Sequence, residues 1–216
     1  MFMLTSTLEK NIFEHQGSKI KIEQQEVQII ARYEQPLVVV LDHVLTNEEC
    51  DRLITLSQNR LARSKIGASK HVNDIRTSSS MFFDENENEF IGEIEQRISA
   101  LMCVPVEHGE GIQILHYAPE QQFKAHHDYF VETSRAAANN RISTLIMYLN
   151  DVEEGGETLF PELNLSISPR KGMGVYFEYF YNDSLLNKQT LHAGMPVVKG
   201  EKWVATQWMR RKPYRV

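Results

Sequence analysis

Two adjacent histidines and a carboxylate share one short run, FKAHHDYF, residues 123–130. In a β-strand side chains alternate between faces, so His126 and Asp128 point the same way and His127 points the opposite way. One imidazole and one carboxylate are two parts of a facial triad. In that arrangement two histidines and a carboxylate hold one side of a non-haem iron and leave the other positions open. An isolated His-x-Asp is more often a surface histidine beside a turn aspartate. Further along, TLHAG sets His192 inside an apolar strand, where a lone imidazole needs a partner. Lys202 then opens KWVATQWM, on the same strand face as Val204, Thr206 and Trp208. A lysine there is costly unless a bound acid matches its charge or its ammonium snorkels to solvent.

These side chains need a scaffold, and the chain supplies two kinds of segment. PLVVVLDHVL (36–45) is β-branched and predicts a strand. TNEECDRLITLSQNRL predicts a helix capped by Thr46 or Asn47, with Leu53, Ile54 and Leu61 at helical spacing. Residues 64–89 are polar and turn-rich, a loop with short strands. NEFIGEIEQRISALM is amphipathic, with Phe90, Ile91, Ile94, Ile98 and Leu101 toward a core. From Gly111 onward short strand-like runs alternate with turns such as APEQ, EEGGE and VKGEK. That pattern predicts a β-sandwich or jelly roll, and the whole is α+β by composition. Residues 36–216 read as one domain and residues 1–35 as an N-terminal extension, in which Leu8, Ile12 and Phe13 share a helical face.

Composition narrows the function. The 216 residues are 42% hydrophobic and 24% charged, enough for one domain with a sizeable core. A net charge of −6 and a pI near 5.8 argue against nucleic acid, whose binders carry a basic footprint. No apolar run approaches a membrane span, and the first residues lack a continuous apolar signal region, so no membrane partner is expected. Cys50 and Cys103 stand far apart and read as thiols in a reducing, cytoplasmic setting.

The order His126-x-Asp128, His192, Lys202 is embedded in RTSSSMF, IEQRISALMCVPVEHGEGIQILHYAPEQQFKAHHD, NRISTLIMYLNDVEEGGETLFP, SPRKGMGVYF and LHAGMPVVKGEKWVATQW. On those stretches the chain resembles the prolyl 4-hydroxylases of the Fe(II)/2-oxoglutarate-dependent dioxygenase superfamily, in a soluble, prokaryotic-type form. The resemblance implies a double-stranded β-helix (jelly roll) core with N-terminal helices packed on one sheet. It implies Fe(II) on His126, Asp128 and His192, and 2-oxoglutarate with its distal carboxylate on Lys202. Tyr117 and Thr158 are the implied hydroxyl partners; taken alone they would read as a core tyrosine and a strand threonine. It further implies O2 as cosubstrate, ascorbate as reductant, and 4-hydroxyproline, succinate and CO2 as products.

A proline-containing peptide or protein, collagen-like sequences among them, is the implied partner, and a homodimer is a family possibility. Candidate peptide contacts are Arg141, Trp208, Arg76, Ser78 and Glu110. Segments 64–89 and 129–140 would close over the peptide. Phe123 departs from the pattern, because many relatives carry tyrosine there. The triad and Lys202 alone leave open hydroxylation of another side chain or a small molecule, and, ranked last, a non-catalytic jelly-roll binding module.

Overall fold

The computed structural model describes residues 9–64, 75–179, 182 and 184–215. The N-terminal part runs β1 (Lys19–Ile22), β2 (Gln25–Glu34), β3 (Leu37–Asp42), helix α1 (Asn47–Ser57), β4 (Ala62–Arg63), β5 (Ser79–Phe82) and helix α2 (Glu89–Met102). The middle runs β6 (Gln113–Tyr117), β7 (Phe123–His126), β8 (Arg141–Tyr148), β9 (Glu154–Gly155), β10 (Thr158–Phe160) and β11 (Leu165–Ile167). Last come β12 (Gly174–Glu178), α3 (Ser184–Gln189), β13 (His192–Gly194), β14 (Val197–Lys199) and β15 (Lys202–Arg210).

A large antiparallel sheet has the order β1-β2-β3-β12-β8-β15-β6-β5-β4. A smaller sheet, β11-β10-β13-β7, faces it, and β14 and β9 form a two-stranded ribbon. Sequence neighbours are mostly not sheet neighbours. The chain crosses between the two sheets, as a double-stranded β-helix requires.

The central strands of the large sheet are buried on both faces, which explains why they read as apolar runs rather than as clean alternation. Along β15, Trp203, Ala205 and Met209 join the core under the helices, with Leu53, Ile91, Ile94 and Ile98. Val204 joins a second core between the sheets, with Val38, Val40, Leu115, Tyr148 and Phe177. The period of two therefore sorts β15 into a structural face and a cavity face.

Helix α1 starts with a capping box: Glu49 N–H donates to Thr46 Oγ1 at 3.2 Å and Thr46 N–H to Glu49 Oε2 at 2.8 Å. Helix α2 starts at Asn88, whose Oδ1 accepts from Ile91 N–H at 3.1 Å, and ends at Cys103 in the left-handed region with φ 56°. Arg97 grips Glu49 with two bonds of 2.8 and 2.7 Å and ties the helices together on one face of the sheet. Both cysteines are free, Cys50 buried and Cys103 partly so.

Several local expectations differ from the structure. Residues 19–34, set apart as an extension, are β1 and β2 of the large sheet. The expected boundary at residue 35 falls in the turn between β2 and β3, which pair along their length. Phe13 is buried in the helix-side core but lies on irregular backbone rather than on a helix, and Leu8 lies outside the described residues. Leu61 lies beyond α1. TLHAGMPVV is two strands, β13 and β14, interrupted at Met195–Pro196. The strand predicted across 122–130 stops at His126, and Asp128 follows it in a loop.

Candidate metal centre

β7 and β13 are antiparallel neighbours, and their register sets His126 directly opposite His192. The two rings lie 4.3 Å apart between centroids. Asp128, two residues past the end of β7, turns back toward them. One ligand atom from each of the three falls within 4.8 Å of the others. Asp128 Oδ1 is 3.4 Å from His126 Nε2, and Oδ2 is 3.7 Å from His192 Nε2.

Each donor is also held from behind. His126 Nδ1 lies 2.9 Å from Lys124 O, and His192 Nδ1 lies 3.1 Å from Thr190 O. Donation to those carbonyls fixes the tautomer that leaves Nε2 as the lone-pair nitrogen, the usual arrangement behind a metal-binding histidine. Asp128 Oδ2 accepts from Thr144 Oγ1 at 2.8 Å and from Trp208 Nε1 at 3.0 Å. Oδ1 is thereby left toward the histidines.

Burial alone would raise the Asp128 pKa, but His192, His126 and Arg141 outweigh it and hold the carboxyl far below its usual range. Burial, with help from His126, lowers His192 to about 4 against the pull of Asp128. A carboxylate and a neutral imidazole are the protonation states a metal needs. Two ring nitrogens and one carboxylate oxygen, all converging, fit a six-coordinate Fe(II) with one face open.

The three side chains open onto a cavity between the sheets. Leu115, Ile146 and Val204 give it apolar walls. Lys202 lines it too, buried, with Nζ donating to Gly156 O at 2.6 Å. Burial pushes the Lys202 pKa down to about 8, against the opposing charge of Glu157. Thr158 lines the same cavity and accepts from Tyr148 OH at 2.7 Å. Tyr117 is the register partner of Lys202 across β6 and β15. Its hydroxyl bonds to Ser78 and Arg76, and burial raises its pKa in spite of the nearby Arg76 charge.

Residues 112–210, which contain all three candidate ligands and Lys202, match the 2OG-Fe(II) oxygenase superfamily. Prolyl 4-hydroxylase 5 of Arabidopsis thaliana is 39% identical over 84% of this chain and 71% of its own length. Probable prolyl 4-hydroxylase 8 of the same plant is 38% identical over 83% of this chain and 70% of its own. This chain belongs to the prolyl 4-hydroxylase family. The viral collagen prolyl hydroxylase of Paramecium Bursaria Chlorella virus-1, solved with 2OG, superposes with a TM-score of 0.64 at 32% identity, covering 80% of this chain and 95% of that one. A prolyl-4-hydroxylase from Pseudomonas putida, 19% identical, shares the fold at a TM-score of 0.59 over 81% of this chain and 92% of that one. The protein is an Fe(II)/2-oxoglutarate-dependent oxidoreductase with a double-stranded β-helix fold.

In this prolyl 4-hydroxylase the residues expected to touch peptide are distributed unevenly. Trp208 lines the cavity, but its indole nitrogen is engaged by Asp128, so it serves the candidate ligand as well as the wall. Arg141 stacks on Trp208 at 3.8 Å, donates to Asp128 O at 3.3 Å and grips Glu110 through two bonds of 2.6 and 2.8 Å. Glu110 is buried beneath Arg141 and Arg210, both of its oxygens occupied, and presents no free carboxylate to a peptide. Ser78 is fully buried against Ser64 Oγ at 2.9 Å and supports Tyr117 rather than facing a peptide.

Arg76 does reach the cavity. It bonds Gln113 Oε1 at 2.9 Å and lies over the Phe123 ring at 4.9 Å. The Phe123 ring in turn stacks on His126 at 3.5 Å. His127 sits apart from the three candidate ligands, its Nε2 3.1 Å from Lys188 O. Of segment 64–89, residues 65–74 lie outside the described residues. Segment 129–140 is pinned by Asn140, whose side chain bonds both Phe130 N and Phe130 O at 2.8 Å.

Thr144, Tyr148 and Tyr179 went unnoticed in the sequence. Tyr179 OH lies 2.8 Å from Thr144 Oγ1, extending the chain of bonds behind Asp128. For Thr144 and Tyr148 the signal is the alternation within RISTLIMYLN, which groups them with Ile146 on the cavity face.

Proposed function

We propose that His126, His192 and Asp128 Oδ1 hold Fe(II), and that Lys202, with Thr158 and Tyr117 nearby, receives the distal carboxylate of 2-oxoglutarate. The convergence of the three donor atoms on a cavity that also contains a buried lysine carries this reading. The enzyme hydroxylates C4 of peptidyl proline, consuming O2 and 2-oxoglutarate and yielding 4-hydroxyproline, succinate and CO2. When bound, Fe(II) with 2-oxoglutarate and O2 supplies the oxidising chemistry.

The chain's own residues do the positioning. The two Nδ1–carbonyl bonds aim the imidazoles. Thr144 and Trp208 hold Asp128 so that one oxygen remains for the metal. The Lys202 charge would hold the distal carboxylate of the cosubstrate. Leu115, Ile146 and Val204 keep bulk water from the space between.

The substrate we propose is a proline-containing polypeptide, collagen-like sequence included, since a 32% identical relative is a collagen prolyl hydroxylase. It approaches past Arg76 and Trp208. Ascorbate is the proposed reductant, on the family resemblance. A cytoplasmic location is proposed on the two free thiols. A homodimer is proposed on the family resemblance too, and light scattering checks it.

Mass spectrometry of a proline peptide incubated with Fe(II), 2-oxoglutarate and ascorbate tests the activity. Added oxygen on proline C4, with matching succinate, is expected. Oxygen on another side chain would move the reading to a different hydroxylase. Full coupled turnover by His192→Ala would remove the proposed triad.

A further inference from the structure

We propose that Tyr148 sets which class of 2-oxo acid the site accepts: it turns the Thr158 hydroxyl so that a hydrogen, not a lone pair, faces the cavity, and the Lys202 end therefore takes a terminal carboxylate and rejects a terminal amide. The inference rests on the reading of Lys202 and Thr158 given above and deepens it. Thr158 lines the cavity. Tyr148 is fully buried behind it, in the core between the sheets that contains Phe160, Val175 and Val204. Tyr148 is thus a positioning residue, acting through Thr158 rather than on the ligand.

A phenol buried this deeply needs a partner, and among the described residues Tyr148 has one: its hydroxyl donates to Thr158 Oγ1 at 2.7 Å. Burial pushes the Tyr148 pKa up in spite of that bond, so the phenol keeps its hydrogen. Thr158 makes no other side-chain bond among the described residues. A hydroxyl accepts through its oxygen and has a single hydrogen to give. With its oxygen turned to Tyr148 in the wall, Thr158 presents that hydrogen to the cavity. Lys202 adds a group that can only donate. Its Nζ lies 5.5 Å from the centre of the Tyr148 ring and 5.7 Å from that of Tyr117, within reach of both aromatic faces.

A carboxylate offers only acceptors and satisfies both donors. A carboxamide that gives its oxygen to Lys202 turns its own N–H groups toward the Thr158 hydrogen, donor against donor. Buried polar groups left unpaired in this way make a site reject the mismatched ligand strongly. Tyr148→Phe keeps the ring near Lys202 but frees the Thr158 hydroxyl to rotate and offer a lone pair to the amide.

Anaerobic calorimetry of the Fe(II)-loaded protein, titrated with 2-oxoglutarate and with its 5-amide, 2-oxoglutaramate, tests this. The wild type should bind the acid about 100-fold more tightly than the amide, or better. Tyr148→Phe should lower that ratio about ten-fold, the scale of one hydrogen bond to a charged group. Thr158→Val alone should lower it by a similar factor. In the Thr158→Val background, Tyr148→Phe should leave the ratio unchanged, because the hydroxyl it directs is gone. A merely structural role for Tyr148 would lower Tm and leave the ratio alone. The proposal is overturned if Tyr148→Phe or Thr158→Val keeps the wild-type ratio, or if Tyr148→Phe shifts it equally in the Thr158→Val background. Equal acid and amide affinities in the wild type, or an acid affinity unmoved by Lys202→Met, would instead remove the reading of the Lys202 end on which the proposal rests.

Discussion

Thr144 donates its hydroxyl hydrogen to Asp128 Oδ2 at 2.8 Å, from a strand of the opposite sheet. One candidate ligand is thus aimed by a residue of the large sheet, while the imidazoles belong to the small sheet. Thr144→Val keeps the shape, removes that donor, and leaves Tyr179 OH facing a methyl group. Loss of such support usually weakens metal binding by about 10- to 100-fold. Anaerobic Fe(II) titration should show a weakening in that range with little change in Tm, and an unchanged affinity would dismiss the role given to Thr144.

The adjacent histidines should respond unequally. His126→Ala removes a proposed ligand and should abolish succinate formation in the presence of peptide. His127→Ala removes a side chain bonded to Lys188 O, away from the donor cluster, and should keep most of the turnover. Equal losses would mean that the orientation of the loop after β7 is wrong.

Lys202 sets a pH dependence whose sign can be worked out. Its pKa before 2-oxoglutarate binds is about 8, below the ordinary 10.5, because burial disfavours the ammonium. Below pH 8 the lysine is already charged and meets the carboxylate directly. Above pH 8 binding must take up a proton, so the Kd of 2-oxoglutarate should rise about ten-fold per pH unit. Lys202→Met should bind weakly at every pH and lose the slope. Folding linkage runs in the opposite sense: keeping the buried ammonium costs stability in full below pH 8, and that cost is relieved as pH rises from 8 to 10.5. Because 2-oxoglutarate should bind more tightly at the lower pH, it should raise Tm more at pH 7 than at pH 9.

Phe13 tests whether the first residues belong to the domain. Its ring is buried, 4.8 Å from Tyr176, and its N–H donates to the buried Glu178 at 2.6 Å. Phe13→Ala should cost about 3–5 kcal/mol. Thermal unfolding should report a fall of roughly 10 °C. A shift within a degree would return the segment to the status of an extension.

Much of this protein was legible without coordinates. The apolar run at 37–41 marks a strand buried on both faces, and the Thr46–Glu49 pair marks a helix start. Strand alternation separated His126 from His127. A lysine on an apolar strand face pointed to a bound acid. Those signals are local: they depend on spacing within one element, and spacing is written in the chain.

What the sequence alone determined is therefore most of the elements, the family and the four candidate polar side chains of the site. The tertiary structure decided which groups stand behind them. Thr144 and Trp208 come from two strands of the large sheet, and only the crossing of the chain between two sheets brings their hydrogen-bonding groups to Asp128, with Tyr179 standing behind Thr144. It also decided that residues 19–34 are part of the large sheet. β2 is largely exposed and mixes apolar with charged residues, so its place is fixed by pairing with β3, which is itself buried on both faces.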